Sequence, residues 1–190
     1  MKIILHEEKT FNNIDYADKD VFNREFVKCL FNGCNFSNSN ISGNEFVECQ
    51  FIDCNFSMTK FGTASLKNVF FKNCKLIGVD FSSCKDFLFS VSYENCILDY
   101  SSFFKKKLKN TIFKKCNIKE ANFTDSDLTN SVFQDCDLTL TQFEKTNLNG
   151  VDFTSSYNYN IDPELNRIKN AKFSIEGLAG LLTKYGIIIE

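Results

Sequence analysis

Residues 111–153 read TIFKKCNIKEANFTDSDLTNSVFQDCDLTLTQFEKTNLNGVDF, and a large apolar residue stands at every fifth position: Phe113, Ile118, Phe123, Leu128, Phe133, Leu138, Phe143, Leu148 and Phe153. Two residues ahead of each is a small or β-branched one: Thr111, Cys116, Ala121, Ser126, Ser131, Cys136, Thr141, Thr146 and Val151. A period of five fits neither the 3.6 of a helix nor the 2 of a flat strand. It fits a chain that turns a corner every five residues and stacks its coils, which makes the fold a repeat solenoid.

The same rule runs back to the N-terminus through Phe11, Tyr16, Val21, Phe26, Phe31, Phe36, Ile41, Phe46, Phe51, Phe56, Phe61, Leu66, Phe71, Leu76 and Phe81. It then slips by two within Ser82 to Phe87 and resumes at Leu88, Tyr93, Leu98, Phe103 and Leu108. Four pentapeptides make one square coil, so every fourth unit stacks on the one before it. The first face then carries a core ladder of Phe11, Phe31, Phe51, Phe71, Tyr93, Phe113, Phe133 and Phe153, aromatic in every coil. The third reads Val21, Ile41, Phe61, Phe81, Phe103, Phe123 and Phe143, and the fourth ends in Leu88, Leu108, Leu128 and Leu148. Columns that stay uniform across the slip point to a bulge or short loop at 82–87, not a domain boundary. Seven coil intervals of about 4.8 Å give a rod roughly 34 Å tall.

Composition agrees with such a rod. Of 22 Phe, 16 sit at the central positions, and the chain has no Trp, one Pro and one His. All nine Cys hold the small slot: Cys29, Cys34, Cys49, Cys54, Cys74, Cys96, Cys116 and Cys136, with Cys84 in the register before the slip. There Cys behaves as a small hydrophobe. No Cys-x-x-Cys or Cys/His set occurs, so neither a metal nor a cofactor is expected. Stacked cysteines such as Cys116 and Cys136 fall within the backbone separation of a disulfide, but their side chains run parallel. The start, MKIILHEE, lacks the apolar run of a signal peptide and nothing approaches a membrane span, so the protein is expected in the cytoplasm with reduced thiols and without a membrane partner. His6 lies in the N-terminal cap, which leaves Cys or Ser nucleophiles without a base; an enzyme is not expected.

Residues 1–160 are thus expected to form the β-helix, with 1–9 as a cap strand. After Phe153 the pattern stops, and 161–190 are expected to form a helical cap and dimerisation tail. Asp162 and Pro163 open a helical turn, Lys172 and Phe173 resemble a last strand, and Ser174 caps a helix to Tyr185 ended by Gly186. Its apolar stripe is Ile175, Leu178, Leu182 and Tyr185. Ile187, Ile188 and Ile189 follow, to be packed on the last coil or on a second chain.

The units Ala121-Asn122-Phe123-Thr124-Asp125 and Ser126-Asp127-Leu128-Thr129-Asn130 match a small residue, Asp or Asn, Leu or Phe, then two polar residues. From Phe11 to Phe153 the chain resembles the pentapeptide-repeat family. That resemblance implies an all-β fold, a right-handed quadrilateral parallel β-helix. The ending also resembles the family's quinolone-resistance members, which dimerise through a C-terminal helix, resemble DNA in shape and charge, and bind DNA gyrase and topoisomerase IV. A type II topoisomerase is therefore the partner the resemblance implies; a scaffold for an unrelated protein is the alternative.

Charge suggests where such a partner would bind. The net charge is −2, but residues 105–119 hold seven Lys (Lys105, Lys106, Lys107, Lys109, Lys114, Lys115 and Lys119) and no acid. Residues 120–152 hold Glu120, Asp125, Asp127, Asp135, Asp137, Glu144 and Asp152 against Lys145. The acidic block reads either as a DNA-like surface for a basic partner or as a solvated outer face. The basic block has few aligned aromatics beside it, and nucleic acid is not expected as a partner. Phe70, Phe89, Tyr100 and Phe104 fall at outward offsets and Phe87 lies in the slip, so these five are a candidate aromatic patch.

Overall fold

A computed structural model describes residues 3–188. Ile189, which the sequence assigns to the tail, lies outside the described residues, as do Met1 and Lys2 of the cap strand. The chain is a parallel β-solenoid of about seven turns. The first face is a seven-stranded sheet, built from β2 (Thr10–Asn12), β4 (Leu30–Asn32), β6 (Gln50–Ile52), β8 (Val69–Lys72), β9 (Val91–Glu94), β10 (Ile112–Lys114) and β11 (Val132–Gln134). The fourth face carries a four-stranded sheet of β1 (Ile4–Glu7), β3 (Arg24–Val27), β5 (Glu45–Val47) and β7 (Ser65–Lys67). The other two faces join their coils through isolated parallel bridges such as Asn35 with Asn55 and Ser102 with Asn122.

Each pentapeptide position has one physical task. The central residue points inward, and rings of successive coils stack: Phe31 on Phe51 at 4.7 Å, Phe113 on Phe133 at 4.6 Å, Phe103 on Phe123 at 4.8 Å. Rings of neighbouring faces meet edge to face, as Phe113 and Phe123 do at 5.9 Å and 89°. Where the small residue two places earlier carries a hydroxyl or thiol, it often donates to a backbone carbonyl of the coil before, although the hydroxyls of Ser39, Ser101 and Ser126 have no partner among the described residues. Thr59 Oγ1 donates to Phe36 at 2.6 Å, and Ser131 Oγ to Leu108 at 2.6 Å. Seven of the cysteines do the same with sulfur, among them Cys74 to Phe51 at 3.3 Å and Cys136 to Phe113 at 3.4 Å. All nine thiols are free and buried, and burial pushes Cys49 and Cys84 up to about 12, so both stay protonated at neutral pH. The Asp or Asn just before the centre braces its own corner: Asp127 Oδ1 accepts from the Thr129 N–H at 3.1 Å and hydroxyl at 2.5 Å. In most units the last residue turns the corner in the left-handed region, and Asn or Asp commonly stands there.

The slip falls later than the sequence pattern places it. The Lys85 N–H bonds the Ala64 carbonyl at 2.9 Å, just as Ser65 bonds Asn44 one coil earlier, so the old register survives into residues 82–87. Leu88 has φ 57, the corner conformation of Asn68 (φ 53) one coil before it. Four residues stand between Asp86 and Val91 where two stand between Leu66 and Val69, and the Ser90 N–H bonds the Leu66 carbonyl at 3.0 Å; Val91 then pairs with Val69, and Tyr93 with Phe71. Leu88 is therefore not the fourth-column residue of this coil, and its side chain is 64% exposed. In the surviving register that position, one coil after Leu66, belongs to Asp86. A carboxylate cannot enter an apolar column, so Asp86 turns outward, and the fourth-face sheet ends at β7. Lys106, in the small slot of the next coil, is 1% exposed. Its ammonium donates to the Cys84 carbonyl, to the Ser82 carbonyl at 3.5 Å and to Asp86 Oδ1 at 2.8 Å, with the Phe89 ring 4.8 Å away.

The ladder also continues past Phe153, where the pentapeptide pattern stops in the sequence. Tyr157 bridges Asp137, Arg167 bridges Asn147 and Lys172 bridges Asp152, and Phe173 stacks on Phe153 at 5.5 Å. The last coil thus ends near Phe173, not at residue 160. Pro163 begins a turn within it rather than a helix. His6, placed by the sequence outside the repeats, is the first rung of the fourth column: it pairs with Phe26 and stacks on its ring at 4.9 Å.

Ser174 does cap the C-terminal segment, its hydroxyl accepting from the Gly177 N–H at 3.0 Å. The single helix expected from there to Tyr185 is instead a 3-10 turn (Glu176–Leu178), one α-turn α1 (Ala179–Leu182) and a second 3-10 turn (Thr183–Tyr185), ended by Gly186 at φ 60. Close approach to Tyr159 decides its seating. A Cβ on Gly177 would lie 1.8 Å from the Tyr159 hydroxyl, and one on Gly180 2.2 Å from its carbonyl oxygen.

Candidate binding surfaces

The seven acids do not share a face. By the register, Asp152 stands on the first, Asp137 on the second, Glu144 on the third and Asp127 on the fourth, while Glu120, Asp125 and Asp135 hold corners at φ 54, 59 and 54. Coiling lays the basic block against the acidic one. Lys109 meets Asp127 at 3.3 Å, Lys119 meets Asp137 at 3.1 Å, and Lys172 meets Asp152 at 3.5 Å from the other side. Burial opposes ionisation of Asp127 and Asp137. Bonds from Thr129 and Lys109 to the first, and from Thr139, Asn158 and Lys119 to the second, more than offset it and hold both carboxyls below the usual aspartate value. Thr154 and Lys172 do the same for Asp152. These pairings were readable in principle as opposite charges spaced by about one coil, but charge blocks counted along the chain conceal them.

The aromatic residues are likewise dispersed. Phe70 stands outward on the first face, half-buried, Phe104 on the third, and Tyr100 on the corner between the second and third, where the Glu120 carboxylate raises its phenol pKa. Phe87 and Phe89 belong to the slip on the fourth face: Phe87 is 72% exposed, whereas Phe89 packs on the core. No single aromatic patch forms from the five.

At the C-terminal end the apolar stripe does not face the coil. Leu181 packs on the core, while Ile175, Leu178, Tyr185, Ile187 and Ile188 are exposed and Leu182 is half-buried. The Lys184 ammonium ties the cap to the last coil, 2.8 Å from Asp162 and 2.6 Å from Glu164, and the Tyr185 hydroxyl donates to Glu164 at 3.1 Å. Between cap and coil lies an open cleft of about 410 Å³ lined by Thr154, Ser156, Tyr159, Ser174 and Glu176 among others.

With the coil geometry established, comparison settles the family. A model of the pentapeptide repeat region matches residues 24–86 and 87–162. The chain belongs to the pentapeptide repeat family. No curated protein sequence matches it. Among solved structures, this pentapeptide repeat protein is similar to QnrB1, a plasmid-mediated fluoroquinolone resistance protein. A trypsin-treated form matches over 100% of both chains at 17% identity and a TM-score of 0.55. Full-length QnrB1 matches over 96% of this chain and 100% of that one, at 19% identity and a TM-score of 0.51. The likeness is one of fold.

Proposed function

We propose that this pentapeptide repeat protein is a non-catalytic, cytoplasmic binding module that works through the outside of its rod. The observation that carries this reading is the filled core: thiols, hydroxyls and rings are committed to holding coil on coil, which leaves the outer faces to meet a partner. Five large apolar side chains in solvent on the C-terminal cap support a homodimer formed there. A chain cut after Phe173 should then sediment as a monomer and the full chain as a dimer.

The partner we propose is a type II topoisomerase, DNA gyrase or topoisomerase IV, engaged as a DNA mimic; whole-length likeness to QnrB1 supports it. The ion pairs of Asp127, Asp137 and Asp152 favour a second reading, a scaffold for an unrelated protein, because they neutralise charge a DNA mimic would present. Gyrase supercoiling with and without ciprofloxacin separates the two. Rescue of supercoiling at micromolar protein supports the first, and no effect leaves the second.

A further inference from the structure

The irregular coil gathers on the fourth face what the sequence scatters. Phe87 and Leu88 form its tip, with the Lys67 ammonium 5.8 Å from the Phe87 ring. Lys85 is exposed in the same coil, Lys107 and Lys109 in the next, and Lys105 at the adjoining corner, 4.8 Å over Phe104. The nearby carboxylates are engaged: Glu45 by Lys67, Asp86 by Lys106 and Asp127 by Lys109. Among the described residues Lys85, Lys105 and Lys107 have no ion-pair partner, and Asp125, one coil beyond Lys105, has none either.

We propose that the slip is a docking tip for the surface of an anionic lipid bilayer. Phe87 and Leu88 enter the headgroup layer, and Lys85, Lys105 and Lys107 meet its negative charge. Three features favour a bilayer over another anionic partner. The apolar pair stands outward at the tip, which suits insertion into a soft layer. A single-stranded nucleic acid needs several aromatic platforms along a basic groove, and at the slip on this face Phe87 alone is an exposed aromatic, beside a leucine that stacks poorly. Lys106 holds the loop through its own carbonyls, so the tip is ordered before contact. No helix of the described residues is long and apolar enough to cross a membrane, so the contact is peripheral.

The test is co-sedimentation of the full chain with phosphatidylcholine vesicles with or without about 30% phosphatidylglycerol, the anionic component that attracts Lys near its surface. Binding is expected to the anionic vesicles and not to the neutral ones, and to fall away between about 0.1 M and 1 M salt, as the screening length shrinks from about 10 to 3 Å. Phe87→Ser with Leu88→Ser should weaken it roughly tenfold, and Lys85→Glu with Lys107→Glu should abolish it. Because all four side chains are exposed, both variants should keep the parent's melting temperature. Absence of binding to anionic vesicles overturns the proposal. So does binding that these substitutions leave unchanged, or a preference for oligothymidylate over vesicles.

Discussion

The coils of residues 111–153 and the coil around the slip solve the same packing problem in opposite ways. In the first, each inward centre is Phe, Leu or Ile, and four of the nine small slots, Ser131, Cys136, Thr141 and Thr146, also bond a carbonyl of the coil before. In the second, a centre is occupied by Asp86 and the next small slot by Lys106. Lys106 would be destabilising there alone, since a buried unpaired charge is costly, whereas Asp86 escapes that cost by facing water. Together they compensate: the carboxylate swings out, and the lysine reaches in to bind it and the loop's carbonyls. A solenoid can therefore take a two-residue insertion without losing its ladder, as the Phe71, Tyr93 and Phe113 stack at 5.3 Å per step demonstrates.

Breaking the regular side of this contrast should have the largest effect. Phe123→Ala removes a fully buried ring that stacks on Phe103 and Phe143 and should cost about 3–5 kcal/mol, with cooperative melting of the adjoining coils in a thermal scan. An unchanged melting temperature would contradict the register. Breaking the irregular side should cost less. Lys106→Ala deletes charged hydrogen bonds to a loop that is partly in water, an effect of about 2 kcal/mol, accompanied by faster proteolysis between Asp86 and Ser90. Equal losses for the two variants would mean that the slip coil is packed as tightly as the rest.

Smaller effects test single rungs. The Tyr93 hydroxyl is buried without a hydrogen-bond partner inside a column of Phe, and burial raises its pKa. Tyr93→Phe should stabilise the chain by about 1 kcal/mol in urea titration; destabilisation would reveal a partner for that hydroxyl. The smallest effect concerns acid. Asp127, Asp137 and Asp152 ionise below their ordinary 3.8 in the folded chain. Their contribution to stability is therefore present above that pH and is lost as pH falls through the lowered values. Lys119→Met should return Asp137 toward its ordinary value and move the acid-unfolding midpoint, followed by circular dichroism, to higher pH. A midpoint that stays put would show the ion pair to be inert.

The period of five carries most of the fold into the sequence, because central and small slots are single-residue requirements that repeat. The slip is misplaced by that period for a physical reason. Leu88 is apolar and continues the spacing of Leu108, Leu128 and Leu148 backwards, so it looks like a rung, while Asp86 looks like a surface residue and turns outward from the rung position it holds. The charged surface is misjudged because charges far apart in sequence, such as Lys109 and Asp127, are neighbours in the coil. The cap is misjudged because Gly177 and Gly180 seat the segment on Tyr159, a contact that periodicity does not encode, and so Ile175 and Leu178 face out.

The register at the slip can be tested by repairing it. A chain with Phe89 and Ser90 deleted, Asp86→Leu and Lys106→Ser has an uninterrupted spacing of four pentapeptides per coil, a leucine in the fourth column and a hydroxyl donor in the small slot. The expected result is a cooperative thermal transition at a higher temperature than the parent's. A lower melting temperature or loss of the folded state would contradict the placement of Asp86 in the fourth column and of the two-residue insertion after Asp86.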